Sequence, residues 1–264
     1  MSITKRKGGV VVDRARKGIT TRKLVMASFL TALSIVFTRF LYFMIPLGGL
    51  PAIRLSFGES PLMLSGILFG PLVGGLSGLA ADLIGVVVNP QGAYFPGFTL
   101  SSILWGAIPG LISNFFKKNK IEKDYSIVNS IIIFLLVLGM IGVFFEEKLL
   151  SINEGKLYLY EEPVSLLISI IFIIVFGALI FLPIFLRGKE SGNKFFSFDK
   201  VVFMVSISYI VISLGLNTYW LSIIFKKGFL VLFPGRLLSS LACIPIHSML
   251  ISTLLRYTKY AMNE

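Results

Sequence analysis

The sequence predicts an all-α polytopic membrane protein, one bundle of eight helices with both termini cytoplasmic. Three observations carry this. Of 264 residues, 55% are hydrophobic and only 14% charged, too little polar surface for a soluble domain of this length. Several apolar runs approach or exceed the roughly 20 residues that cross a bilayer as a helix. The basic residues are clustered: Lys5, Arg6, Lys7, Arg14, Arg16, Lys17, Arg22 and Lys23 at the start, Lys117, Lys118, Lys120 and Lys123 in one connection, Arg187, Lys189, Lys194 and Lys200 in another, Arg256 and Lys259 at the end. That is the positive-inside pattern. It accounts for most of the net charge of +12 without any soluble basic domain, so nucleic acid is excluded as a partner and the lipid bilayer is the implied surroundings.

The elements follow in order. Residues 1–22 read as a basic cytoplasmic tail, and the first span covers about Lys23–Met44. "IPLGGLPAIRLSFGES" is expected to be a loop. Two tight helices follow at about Glu59–Phe69 and Leu72–Val88, broken at Gly70-Pro71. Residues 59–88 are short for two crossings. Counted as one, however, they would put the lysines of 117–123 and the basic 187–200 connection outside, so a short pair is preferred. Gly66, Gly70, Gly74 and Gly78 recur every four residues, a spacing that lets helix backbones approach closely in lipid. Further spans are expected at about Phe98–Phe116, Ser126–Phe145, Val164–Leu186, Val201–Ser222 and Leu230–Leu255. The acidic stretch "EEKLLSINEGKLYLYEEP" then lies outside.

Chemistry-bearing residues are few. Cys243 is the single cysteine, so there is no internal disulfide or thiol metal cluster. No phosphate loop, metal-ligand set or Ser/His/Asp arrangement is present, so neither catalytic residues, metal nor cofactor is expected. His247 reads as a satisfied helix residue near the inner end of the last span. Ionisable groups at membrane depth are the informative ones. Arg39, Asp82 and Arg236 sit in the outer half, with Arg54 and Glu59 flanking the first outer loop and Asn217 and Trp220 near the outer end of the seventh helix. Between two apolar runs lies "NPQGAYFPGFTLS" (89–101), uncharged, with two prolines, two glycines and the aromatics Tyr94, Phe95 and Phe98. Such a loop suits either an interfacial aromatic belt or a lid over a cavity for a flat heterocycle. Together with 45–58 and 223–230 it would close an outer mouth.

Several stretches resemble one known family: Phe37-Thr38-Arg39-Phe40-Leu41, "IRLSFGESPLMLSGILFGPLVGGLSGLAADLIG", "NPQGAYFPGFTLS", "LNTYWLS" and "FPGRLLSSL". In their order and spacing they look like the folate-specific S components of energy-coupling factor (ECF) transporters. The likeness covers roughly residues 24–116 and 201–256. It implies a six-helix membrane subunit of the prokaryotic cell membrane that binds folate outside. The subunit would work with an energy-coupling transmembrane subunit and two cytoplasmic ATPases. The division is then core helices 1–4 in 23–116, an inserted transmembrane helical hairpin with its connections in 117–200, and core helices 5–6 with a C-terminal tail in 201–264.

The residues implied for folate are Arg39, Arg54, Phe57, Asp82, Tyr94, Phe95, Thr99, Asn217, Trp220 and Arg236. Asp82 or Asn217 would meet the pterin's amino and ring N–H edge. Tyr94, Phe95 and Trp220 would stack on its rings, and Arg54 or Arg236 would hold the glutamate carboxylates. An Arg39–Asp82 ion pair and a solvated Arg54 are the plainer alternatives. The family's docking motif on the first helix, ideally two alanines four apart, is matched here by Ser28 and Ala32 with Ala27 and Thr31 beside them. Rival functions are an S component for another vitamin, such as riboflavin or pantothenate, and a membrane enzyme, for which no catalytic constellation is found.

Overall fold

A computed structural model describes residues 20–47, 50–146, 150–153, 156–159, 162–163, 165–185 and 197–262. Most of the basic tail, the part of the basic connection at 186–196 and the last two residues lie outside the described residues. The elements are α1 (Thr21–Arg39), β1 (Tyr42–Leu47), β2 (Leu50–Ser56), α2 (Glu59–Phe69), α3 (Pro71–Val88), α4 (Pro96–Lys118) and α5 (Ser126–Glu146). There follow β3 (Leu150–Asn153), β4 (Lys156–Leu159), β5 (Glu162–Pro163), α6 (Leu166–Phe185), α7 (Phe198–Phe225) and α8 (Phe229–Met262). By length and composition, α1, α3, α4, α5, α7 and α8 can each cross a membrane.

α2 has 11 residues, about 16 Å of helix, and Ser60 through Ile67 are all buried. It is a short rod enclosed by the others. It ends because Gly70 adopts φ +95° and Pro71 opens α3, where a missing N–H costs nothing. The four-residue glycine repeat then does what its spacing suggests. A Cβ at Gly74 would lie 2.6 Å from the Gly106 carbonyl oxygen, and one at Gly110 2.7 Å from the Pro71 nitrogen. Cβ atoms at Gly66, Gly78 and Gly106 would overlap backbone of the facing helix. α2, α3 and α4 therefore touch backbone to backbone. Ser65 and Ser77 hydrogen-bond across α2 and α3 at 3.0 Å.

α1 buries one stripe, Ala27, Leu30, Thr31 and Ser34, at helical spacing, and leaves Leu24, Val25, Phe29 and Val36 exposed. α5 and α6 pack on each other, and Ile133, Val137 and Met140 of α5 join Leu214, Leu237 and Leu241 of α7 and α8 in a second apolar cluster. The start of α5 is fixed by α7: Asp199 Oδ2 accepts from the Tyr125 N–H at 2.9 Å, and Asn129 Nδ2 donates to the Asp199 carbonyl at 2.6 Å.

The structure corrects four expectations. The first helix stops at Arg39, short of Met44, and the expected 45–58 loop is an antiparallel hairpin pairing Tyr42 with Ser56 and Arg54 with Met44. The acidic stretch, expected without regular structure, includes the small three-stranded sheet β3-β4-β5 within an otherwise helical protein. The 223–230 connection shrinks to three residues between α7 and α8, turned by Lys226 in the left-handed region at φ 52°. Finally, His247 lies midway along α8 rather than near an inner end. It is satisfied by two partners: its Nε2 donates to the Ser56 carbonyl at 2.9 Å. With that proton so used, Nδ1 accepts from the Tyr209 hydroxyl at 3.0 Å.

Candidate functional site

The end of the bundle where α1 meets the β1–β2 hairpin and the loop after α3 encloses a cavity of about 210 Å³. Its wall takes Ser34, Thr38 and Arg39 from α1, Glu59 and Leu62 from α2, and Ala81, Asp82 and Val86 from α3. Ser101, Ser102 and Trp105 of α4 and Asn217 of α7 complete it, with Arg54 from β2. Over it lies the loop from Gln91 to Phe95, followed by Phe98. Asn217 ends a π-helical segment, Tyr209–Asn217, the kind of local rewinding that recurs at functional sites.

Asp82 and Arg39 are ion-paired, Nη2 to Oδ1 at 3.2 Å, with both side chains 10% exposed. The other carboxylate oxygen accepts from Thr99 Oγ1 at 2.7 Å, and Thr99 lies 3.0 Å from the Tyr94 hydroxyl. Both Asp82 oxygens are thus engaged by the protein. Gly85 makes room for the pair, since a Cβ there would lie 2.5 Å from Arg39 Nε.

The carbonyl groups that end α1 lack helical partners and instead collect the hairpin and the loop after α3. Arg54 Nη2 donates to the Thr38 carbonyl at 2.8 Å, and Gln91 Nε2 donates to the same oxygen at 3.1 Å. Asn89 Nδ2 donates to the Arg39 carbonyl at 3.0 Å. Hairpin and 89–97 loop therefore converge on one helix end. Arg54 also lies over the Tyr42 ring at 5.0 Å, so its guanidinium is partly committed to structure.

Several polar atoms facing this region are sequestered from water yet lack partners: Glu59 Oε2, Ser101 Oγ, Asn217 Oδ1, Arg39 Nε and Arg54 Nε. Buried polar atoms ordinarily find partners, so this group of atoms makes the cavity a candidate site for a polar ligand. Of the ten residues expected for the ligand, the cavity holds Arg39, Arg54, Asp82, Tyr94, Phe95 and Asn217. Thr99 stands behind Asp82 and Tyr94. Trp220 stands behind Phe95, ring centroids 5.7 Å apart, and both rings press on Gly97. Arg236 and Phe57 do not line the cavity, and Phe57 is exposed, its ring centroid 6.3 Å from that of His247. Glu59 was absent from the expected set. Its signal in the sequence was an acid beside an outer loop at the head of an otherwise apolar helix. On α1, Ala27 and Thr31 are buried within the bundle, whereas Ser28 and Ala32 are exposed.

The fold and this site can be set beside known proteins. Residues 18–190 match the family described as ECF-type riboflavin transporter, S component. The chain belongs to this family. As an S component it is a multi-pass membrane protein and a transporter subunit, not an enzyme. A relative named Folate transporter FolT, from Clostridium novyi (strain NT), is 28% identical over 228 residues, 86% of this chain and 84% of that one. A solved structure titled "Crystal structure of FolT bound with folic acid" superposes with a TM-score of 0.50 at 18% identity, covering 89% of this chain and 97% of the other. That likeness supports the S-component fold.

Proposed function

We propose that this S component binds folate at the outer face of a prokaryotic cell membrane and delivers it for ATP-driven uptake by an energy-coupling transmembrane subunit and two cytoplasmic ATPases. The observation that carries the reading is the cavity itself. Unpartnered donors and acceptors stand beside Tyr94, Phe95 and Trp105, the combination a hydrogen-bonding aromatic ring requires. The named folate transporter among its relatives supports the same ligand. At about 210 Å³ the cavity is smaller than the roughly 300–1,000 Å³ of many ligand sites. It suits the pterin ring, with the aminobenzoyl-glutamate tail running toward the mouth beside Arg54.

In this mechanism the 91–95 loop and the hairpin are a lid. A heterocycle left facing water would forfeit apolar burial at about 25 cal/mol per Å², and the proline-stiffened loop supplies that burial at low ordering cost. Arg39–Asp82, reinforced by Thr99, keeps α1 and α3 in register under the lid. Helices α5 and α6 are the inserted hairpin added to a six-helix core, and both termini face the cytoplasm. On α1, the outward Ser28 and Ala32 form the docking surface for the coupling subunit, with Ala27 and Thr31 setting the packing beneath it.

A second reading, riboflavin, is favoured by the description of the matching family. Calorimetric titration of the purified chain in detergent separates the two. Folate should bind one-to-one with riboflavin at least a hundredfold weaker. Tight riboflavin binding without folate binding would replace the first reading by the second.

A further inference from the structure

The two carboxylates of the cavity differ in their hydrogen bonding. Asp82 has Arg39 on one oxygen and Thr99 on the other. Glu59 also lines the cavity, but its Oε2 is sequestered from solvent and has no hydrogen-bond partner. An acid in the first turn of a helix is stabilised by the helix dipole wherever it points, so a purely local role would leave Glu59 free to face water. Instead it opens α2, the most enclosed helix of the bundle, and projects into the cavity. Desolvating a carboxylate oxygen without a donor is costly, and a ligand N–H removes that cost. Asn217 Oδ1, from the opposite side of the chain order, is a second bare acceptor in the same cavity, and Ser101 Oγ is a bare hydroxyl. These unpartnered acceptors share the cavity with the unpartnered donors Arg39 Nε and Arg54 Nε, and the acceptors suit a ligand edge that carries N–H donors.

Resting on the folate reading above, we infer that Glu59, seconded by Asn217, is the specificity-determining acceptor for the amino and ring N–H edge of the ligand's bicycle, and that Asp82 is a positioning residue that does not touch it. Flavin presents a ring N–H between two carbonyl groups and no amino group on that edge. A carboxylate at Glu59 therefore favours a pterin edge, amino group beside ring N–H, over a flavin edge by chemistry alone.

The test uses purified full-length protein, titrated with folate and with a folate analogue whose 2-amino group is replaced by methyl. Wild type should prefer folate strongly. Glu59→Gln should weaken folate about 10- to 100-fold, the worth of a hydrogen bond to a charged group, while weakening the 2-methyl analogue, which keeps only the ring N–H, clearly less, so that discrimination shrinks. Glu59→Asp, which keeps the charge but shortens its reach, should fall between. Asp82→Asn should weaken both ligands by the same factor and lower the melting temperature without ligand. If either Glu59 variant melts like wild type and retains both folate affinity and discrimination within twofold, the inference is overturned and folate binding stands. If wild type binds no folate, the function proposed above fails and the inference falls with it.

Discussion

The wall and the mouth of the cavity are held by different forces. The rigid part of the wall is α2, α3 and α4, packed through Gly66, Gly74, Gly78, Gly106 and Gly110 so closely that no side chain could be interposed. The mouth is the β1–β2 hairpin and the loop after α3, held mainly by side chains of Arg54, Asn89 and Gln91 on two carbonyl groups at the end of α1. Backbone contact distributed along three helices yields only by unfolding. A few hydrogen bonds of about 1 kcal/mol each can be exchanged. The difference teaches that the pocket's shape is built into backbone contact, whereas the mouth rests on a few side-chain hydrogen bonds, as the proposed lid requires.

This contrast can be broken at graded points. The largest effect is expected in the wall. Gly106→Val places a branched side chain against the Gly74 backbone, and no monodisperse protein should be recovered by size-exclusion chromatography in detergent. Next is the joint between wall and mouth. Asp82→Ala leaves the Arg39 guanidinium without its counter-charge, and loss of one partner of a buried pair costs about 3–5 kcal/mol. At 10% exposure the pair stands near that class, so the variant should fold but melt well below wild type in a thermal scan. In the mouth itself, replacing Tyr94 and Phe95 together with alanine should speed folate release about tenfold, measured by stopped-flow. That equals roughly 55 Å² of lost apolar cover at 25 cal/mol per Å². Melting temperature without ligand should be unchanged. The smallest effect is at Gln91, whose bond to Thr38 is exposed. Gln91→Ala should raise the release rate about two- to threefold. A larger change at Gln91 than at Tyr94 and Phe95 would reverse the order assigned to anchoring and cover.

The wall was legible in the sequence and the mouth was only partly so. Glycines four apart, interrupted by Gly70-Pro71, can be read without coordinates because only close backbone contact and a helix break demand those residues there. The hairpin was disguised. Gly48-Gly49 between apolar runs is a two-residue hairpin signal, whereas Pro46 and Pro51 disfavour strands, so the residues of this stretch point both ways. Arg39 and Asp82 lie 43 residues apart. Estimated depth showed that they could meet, but not that Thr99 would occupy the second oxygen. Glu59 was seen as a loop-flanking acid because sequence spacing cannot say that α2 is enclosed on all sides. Asn217 was placed near the outer end of its helix, yet nothing in "YIVISLGLN" announces the π winding that precedes it. Helix existence follows from composition, whereas the facing of a single polar atom follows from tertiary packing.

The central claim is that the unpartnered polar atoms around Tyr94, Phe95 and Trp105 are a folate site. Native mass spectrometry of the wild-type chain, purified from cells grown in rich medium and released from detergent in the gas phase, tests it most directly. One bound adduct with the mass of a folate is predicted, and it should be depleted in the Tyr94 and Phe95 double variant. A flavin adduct, or a wild-type protein that stays free of any folate when folate is supplied in excess, would contradict it.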